Sequence, residues 1–390
     1  MKTIAIIGGG FSGTMTAVQL MKQAKTPLQI YLIDKENIGR GLAYAENDSC
    51  LLLNVRADQM GAFPENVSHF YEWLQAKNIE CAPTGFISRS LYGDYLSELL
   101  HNAIKESAQW VNVEIINDEV VDIEVSEIKK ILFANHHSVD INELVLATGA
   151  LSHSELKLAD IKKNDGSLTI IGTGLSMVDA VIYLNSINFQ GKMTAVSRRG
   201  KIPEAHQFYD ASVARPVYDF TSDHSLMTVL QTVKENLKKF EWRLVIDGLR
   251  PHSQSLWSKW STHERGQFLR FLRPLWDISR HRMAPRHKKI IEMLINSNRL
   301  EIKRIGFSSY KPTTKIVLNC TGVTPVDNTL IQKLIKKNLL EADFFRLGVL
   351  SQFAWIHTIG HLLRGELWEC TAVPEIRVQA KRLATELLKE

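Results

Sequence analysis

Two glycine turns hold the residues best suited to chemistry. Gly8-Gly9-Gly10-Phe11-Ser12-Gly13 follows the apolar run 2–7, and Gly172-Thr173-Gly174-Leu175-Ser176-Met177 follows the run 168–171. In such a turn the first glycine permits a tight exit from a strand. The second lets a pyrophosphate approach the backbone, and the third lets a helix pack closely. The helix start then offers unpaired N–H groups and a partial positive charge to an anion. The apolar run 28–33 ends at Asp34-Lys35, with Asp34 21 residues past Gly13, where a carboxylate accepts hydrogen bonds from ribose hydroxyls. The matching run 192–196 ends instead at Ser197-Arg198-Arg199. An acid repels a 2′-phosphate, whereas two guanidinium groups bind one, so the second turn favours NADPH over NADH. The competing readings are two solvated arginines and a plain βαβ crossover with nothing bound.

These residues must be positioned by strand–turn–helix–strand units. Residues 14–25 and 178–187 read as the two helices. Met177 replaces the third glycine of the second unit, so its helix is expected to stand further from its turn. Two later apolar runs close on Ala147-Thr148-Gly149 and on Asn319-Cys320-Thr321-Gly322, small residues where backbone passes close to a ligand. The alternation over 111–133 predicts a β-meander. Residues 69–76, 91–103 and 375–388 read as helices, the last starting around Thr371 and Pro374. Between 203 and 300 lies a helical insertion with Trp257, Trp260 and Trp276 among many arginines. Buried tryptophans with solvated charge are preferred there to an anion pocket. Arg89 reads as a surface ion pair before a phosphate ligand. Cys320 would be a nucleophile only with a lowered pKa, and otherwise reads as core.

Composition narrows the class. Apolar residues make up 45% of the 390 and charged residues 23%, as in an ordinary globular protein. The net charge of +5 is too small to argue for nucleic acid. The four cysteines form no CxxC pair and no zinc spacing, so neither a disulfide framework nor a metal site is expected. No apolar run reaches membrane-spanning length, and a strand beginning at residue 2 or 3 leaves no room for a leader. A cytoplasmic setting is expected, with a small-molecule substrate and neither membrane nor nucleic acid as partner.

Two glycine-turn units, each closing on a Thr-Gly exit, resemble the flavoproteins that bind two dinucleotides. The likeness extends through 39–44 (Gly-Arg-Gly-Leu-Ala-Tyr), the stretch 52–64 with His69-Phe70 and Trp73-Leu74, and Arg89 with Tyr92-Gly93. It continues through Ser197-Arg198-Arg199-Gly200, Arg273-Pro274-Leu275-Trp276-Asp277 and the run 363–375. Together these resemble the YdhS-like FAD/NAD(P)-binding proteins, relatives of the flavin-dependent N-hydroxylating and flavin-containing monooxygenases. The resemblance implies an α/β chain with two Rossmann-like domains, a glutathione-reductase-like FAD/NAD(P) fold, and a helical insertion. It implies an FAD-binding domain of residues 1–165 and 310–390, and an NAD(P)H-binding domain of 166–309 carrying the insertion over 203–300.

By the same resemblance Gly8, Gly10, Phe11, Ser12, Gly13, Asp34 and Lys35 hold the ADP half of FAD, beside Thr148 and Gly149. Arg40, Leu42, Tyr44 and Asn54 line the flavin, and Gly360, Thr371 and Ala372 cap it. The nicotinamide dinucleotide, NADPH with NADH as the alternative, falls to Gly172, Gly174, Leu175, Ser176, Ser197, Arg198, Arg199, Thr321 and Gly322. Asn54 is the one catalytic candidate, an amide able to hydrogen-bond an oxygen adduct or the nicotinamide; capping of its own loop is the plainer role. Gly360-His361 departs from the Gly-Asp of many such flavoproteins. The implied function is an FAD-dependent NAD(P)H oxidoreductase, monooxygenase-like. The rival readings are a flavin oxidase or reductase without oxygen insertion, and a non-enzymatic FAD-binding redox sensor.

Overall fold

The computed structural model describes residues 1–45, 48–149, 158–163, 165–210, 212–306, 310–322 and 324–389. The chain forms two units, Met1–Leu151 with Val323–Glu390, and Ser152–Gly322. It begins β1 (Lys2–Ile7), α1 (Phe11–Gln23), β2 (Leu28–Ile33), α2 (Gly41–Tyr44), α3 (His69–Ala76), α4 (Arg89–Ser107), β3 (Val111–Ile116), β4 (Val120–Val125), β5 (Lys129–Phe133), β6 (Ser138–Ile141) and β7 (Glu143–Leu146). The second unit contains β8 (Leu168–Ile171), α5 (Leu175–Ser186), β9 (Met193–Ser197), α6 (Leu226–Asn236), α7 (Trp242–Leu249), α8 (Ser253–Lys259), α9 (Thr262–Gln267), α10 (Arg273–Arg280), α11 (Pro285–Asn296), β10 (Leu300–Arg304) and β11 (Ile316–Asn319). The chain then returns to the first unit with α12 (Thr329–Lys336), β12 (Glu341–Ala342), β13 (Val349–Leu350), β14 (Ile356–Thr358), α13 (Arg364–Leu367) and α14 (Val373–Leu387).

The first unit is built on a parallel sheet of order β14-β7-β1-β2-β3. Alternation along the strands divides its core. Ile4, Ile6, Leu28, Ile30, Leu32 and Val145 pack with α1, α4 and α14 on one face. Ala5, Ile7, Ile33, Leu144 and Leu146 pack on the other with the β4-β5-β6 sheet and α12. A strand buried on both faces has no polar side, and for that reason β1 from Ile4 onward and β2 apart from the buried Gln29 read as apolar runs. The meander expected over 111–133 is corrected here. β3 pairs in parallel with β2 as the edge of the main sheet, and the antiparallel meander is β4-β5-β6. Period-two alternation marks a strand with one wetter face and carries no information about its partner.

The second unit has a parallel sheet of order β10-β9-β8-β11. β11 pairs with β8 from Ile316↔Leu168 to Asn319↔Ile171, so the second unit runs to Gly322 and the boundary expected at 310 moves with it. In each sheet the strand leading into the glycine turn is central, with its sequel on one side and the Thr-Gly strand on the other. The strand order therefore reverses at β1 and at β8, the place where sheets of this kind bind their ligands. The insertion buries Trp257, Trp260, Phe268 and Trp276, while Phe271 and Leu275 are exposed. A π-helical turn, Phe268–Leu272, precedes Pro274, whose ring denies the helix a regular backbone bond.

Candidate functional site

The two glycine turns are near copies. Gly8 N–H donates to Ile33 O (2.8 Å) and Gly172 N–H to Val196 O (2.9 Å). Ala147 N–H donates to Ile7 O (2.8 Å), and Cys320 N–H donates to Ile171 O (2.7 Å). Gly8 has φ +113° and Gly172 φ +110°. A Cβ on either would stand 2.2 Å from Ala147 O or 2.3 Å from Cys320 O. The fold itself thus demands the first glycine of each turn. It also demands Gly13, whose Cβ would lie 1.8 Å from Gly8 O. Met177 carries a full, buried side chain at that position, so α5 cannot approach its turn as α1 does.

The second glycines differ in kind. Gly10 (φ −76°, ψ −169°) and Gly174 (φ −80°, ψ −166°) have backbone angles open to any residue. A Cβ on Gly10 would meet nothing nearer than Gly41 Cα at 3.6 Å, and one on Gly174 would meet nothing within 4 Å. The protein needs glycine at neither position for itself, which fits a pyrophosphate lying against bare backbone. Each of these glycines is also the N-cap of its helix, with no side-chain cap and no acid in the first turn. The first N–H groups of α1 and α5 are left to an anion.

In the first unit Asp34 Oδ2 accepts the Gly9 N–H at 2.7 Å, so the carboxylate braces the turn as well as facing the ribose position. Gly8, Asp34, Lys35 and Thr148 share a cavity of about 180 Å³ with Asp118 and the start of α12. Thr148 Oγ1 is buried there with no hydrogen-bond partner among the described residues, a donor and acceptor available to a ligand. Ligand pockets run to roughly 300–1,000 Å³, so this one suits a single ring system of a dinucleotide. Gly149 (φ +66°) lies open beyond it. The loop 37–41 rests on the turn through Gly39 N–H donating to Gly9 O (2.9 Å) and through Gly41 against Gly10. Only four helical residues, α2, follow.

The residues expected around a flavin are spread over three elements of the same unit. Arg40 pairs with Asp94. Tyr44 lies edge-on to Tyr92 with ring centroids 4.8 Å apart, and burial pushes its hydroxyl up to about 12, so it stays protonated as a donor. Leu42 is 64% exposed, an apolar surface with nothing of its own to cover. Asn54 is half-buried in the loop between the Leu52↔Ser88 bridge and the turn Ala57–Gln59. Arg89 Nε donates to Leu52 O (3.3 Å), an internal tie. At the C-terminal side Gly360 (φ +70°) lies on the start of α1, where its Cβ would meet Ser12 Oγ at 2.7 Å. α14 begins at Val373 with Ala372 as its N-cap and Pro374 in its first turn, one residue later than a cap at Thr371. Just before it, Trp368 has φ +58° and ψ −74°, a strained conformation for a bulky residue. Burial, reinforced by Arg364, pushes His361 down to about 4, so its imidazole is neutral where an acid would be charged.

In the second unit Ser197 is consumed internally. Its Oγ accepts from Gly200 N–H (3.0 Å) and donates to Thr173 Oγ1 (2.9 Å), whose own proton goes to Lys201 O (2.6 Å), the counterpart of the Gly9–Asp34 tie. Arg198 and Arg199 are exposed, with no ion pair or hydrogen bond among the described residues. Leu175 and Ser176 open α5. Thr321 is bonded through its N–H and hydroxyl to Asn319 Oδ1, and Gly322 (φ +87°) is open. Burial pushes Cys320 up to about 12, the wrong direction for a nucleophile. The ties from Gly9 and Thr173 were not legible in sequence, since they depend on a neighbour one strand away. Among the described residues no cluster of metal ligands occurs, and no helix is long and apolar enough to cross a membrane.

Comparison with known proteins agrees with this geometry. Residues 5–151 match the family model described as FAD-NAD(P)-binding. The chain is 24% identical over 299 residues to the uncharacterized protein YdhS of Escherichia coli (strain K12), covering 64% of this chain and 55% of that protein. It thus spans about half the length of that relative. Among solved structures it is similar to L-lysine 6-monooxygenase from Pseudomonas syringae (TM-score 0.61, 15% identity, 99% of both chains). It is also similar to the bacillithiol disulfide reductase Bdr from Staphylococcus aureus (TM-score 0.55, 14% identity, 100% of this chain and 99% of that one). At such identities the likeness establishes the fold. The chain has the Rossmann-type FAD/NAD(P)-binding fold of flavoproteins and the YdhS likeness its motifs suggested.

Proposed function

We propose that the protein is an FAD-dependent oxidoreductase that takes hydride from NADPH and delivers the electrons to oxygen at a small-molecule substrate, as a monooxygenase. One observation carries the reading. Each of the two turns keeps a second glycine that neither its backbone angles nor its packing requires. Bound FAD would supply the two-electron chemistry. The chain's own part is to hold, orient and exclude water. Gly8, Gly10, Gly13 and the start of α1 would take the diphosphate of FAD, Asp34 the ribose, and Tyr44, Asn54 and the Gly360–Ala372 segment the ring. Arg198 and Arg199, without a partner among the described residues, would take a 2′-phosphate in forked hydrogen bonds.

The fold also serves a disulfide reductase, and fold alone does not choose between reactions. Against a dithiol mechanism stand the lack of any CxxC and the raised pKa of Cys320 and Cys370, both pushed up to about 12 by burial. An oxidase that inserts no oxygen remains the rival, and hydrogen peroxide formed in step with NADPH consumption, without any substrate, would identify it. The main test is anaerobic titration of the FAD-loaded protein. NADPH should bleach the flavin at concentrations tenfold or more below NADH. The double change Arg198→Ala with Arg199→Ala should abolish that preference and leave NADH untouched. An unchanged preference would rule out the 2′-phosphate site.

A further inference from the structure

We propose that Gln379 is a positioning residue for the flavin, setting the spacing of the two backbone segments that close the site from the C-terminal side. The proposal rests on the FAD reading of the first unit. Gln379 lies seven residues past the N-cap of α14 and reaches back along the helix. Its Oε1 accepts the Gly360 N–H at 3.0 Å and its Nε2 donates to Cys370 O at 3.1 Å. One amide therefore bridges two segments ten residues apart in sequence. Cys370 Sγ adds a third tie, donating to Gly360 O at 3.3 Å. Gly360 in turn lies on Ser12 in the first turn of α1. The Gln379 amide thus fixes how the start of α14 stands relative to the start of α1, the two helix ends that face the expected cofactor.

The residue type has a chemical reason. The two segments offer one donor and one acceptor, and a side-chain amide presents one of each at a single end. A carboxylate could accept from Gly360 but not donate to Cys370, and a lysine could only donate. The rest of α14 does not depend on Gln379. Ile376, Ala380, Leu383, Ala384 and Leu387 are buried in the core. Arg377 donates to Gln59 O and Gly61 O, and Thr385 Oγ1 bonds Gln23 Oε1. Loss of the amide should therefore loosen the segments around Gly360 and Cys370 while the helix stays docked.

The test compares wild-type protein, Gln379→Ala and Gln379→Glu, each stripped of flavin and titrated with FAD. The readouts are affinity, visible spectrum, midpoint potential and the melting temperature of the flavin-free form. Gln379→Ala should bind FAD about tenfold more weakly with a shifted absorption maximum, a loss of affinity larger than any fall in the flavin-free melting temperature accounts for. Gln379→Glu should lower the midpoint potential, because a negative charge at the start of α14 opposes added electrons. Wild-type affinity, spectrum and potential in both variants would overturn the proposal. So would an affinity that falls only in step with the melting temperature, which marks a merely structural role. A wild-type protein that takes up no FAD would overturn both this proposal and the reading beneath it.

Discussion

Gly10 and Gly13 stand three residues apart and predict opposite outcomes. Alanine at Gly13 would press a methyl carbon to 1.8 Å from Gly8 O, and the expected result is a protein destabilised by several kcal/mol. Alanine at Gly10 meets only ordinary contact, so stability should hold within about 0.5 kcal/mol while FAD affinity falls tenfold or more. Urea unfolding of the flavin-free proteins and FAD titration separate the two, and equal FAD affinity in Gly10→Ala would remove the diphosphate from this turn. The glycines were legible in sequence because their spacing is local. The backbone that makes the first glycine of each turn obligatory was not, since Gly8 answers to Ala147 and Gly172 to Cys320, partners more than a hundred residues away. Ser197 shows the same limit, for nothing local in Ser-Arg-Arg announces that its hydroxyl belongs to Thr173 and Gly200.

Among the elements, those declared by their own residues were read well. Helix α3 spans 69–76 as its apolar stripe implies, and β1, β2, β8 and β9 follow their apolar runs. Pairing was where the reading failed, because β3 and β11 look alike in any sheet and only long-range register decides their neighbours. Helix α14 illustrates how an element is fastened beyond its periodicity. Arg377 is buried with its guanidinium donating to Gln59 O (3.1 Å) and Gly61 O (2.8 Å). Arg377→Leu would strip the buried Gly61 carbonyl and the part-buried Gln59 carbonyl of their donor, and a loss of about 2–4 kcal/mol is expected in denaturant unfolding. A loss under about 0.5 kcal/mol would show that those carbonyls find other partners.

For the molecule as a whole, acidity should act through His361. Its folded pKa, about 4, lies below the ordinary value of 6.5, because burial and Arg364 disfavour the imidazolium. Between those two values the unfolded chain holds more protons on this residue than the folded one. Stability from this source is therefore fully present above pH 6.5 and declines as pH falls toward 4. His361→Gln should lose less stability than wild type between pH 7 and pH 4, measured by urea unfolding across that range. Parallel curves would place His361 in contact with water.

The first unit is interrupted: the chain leaves its sheet after β7 and supplies β14 and α14 only after the whole second unit. A ribosome therefore finishes the second unit while the first still lacks an edge strand and the helix that bears Gln379. On the proposed assignment, emerging polypeptide should capture its nicotinamide partner early and its yellow pigment last, so premature termination anywhere before residue 373 would leave a colourless product.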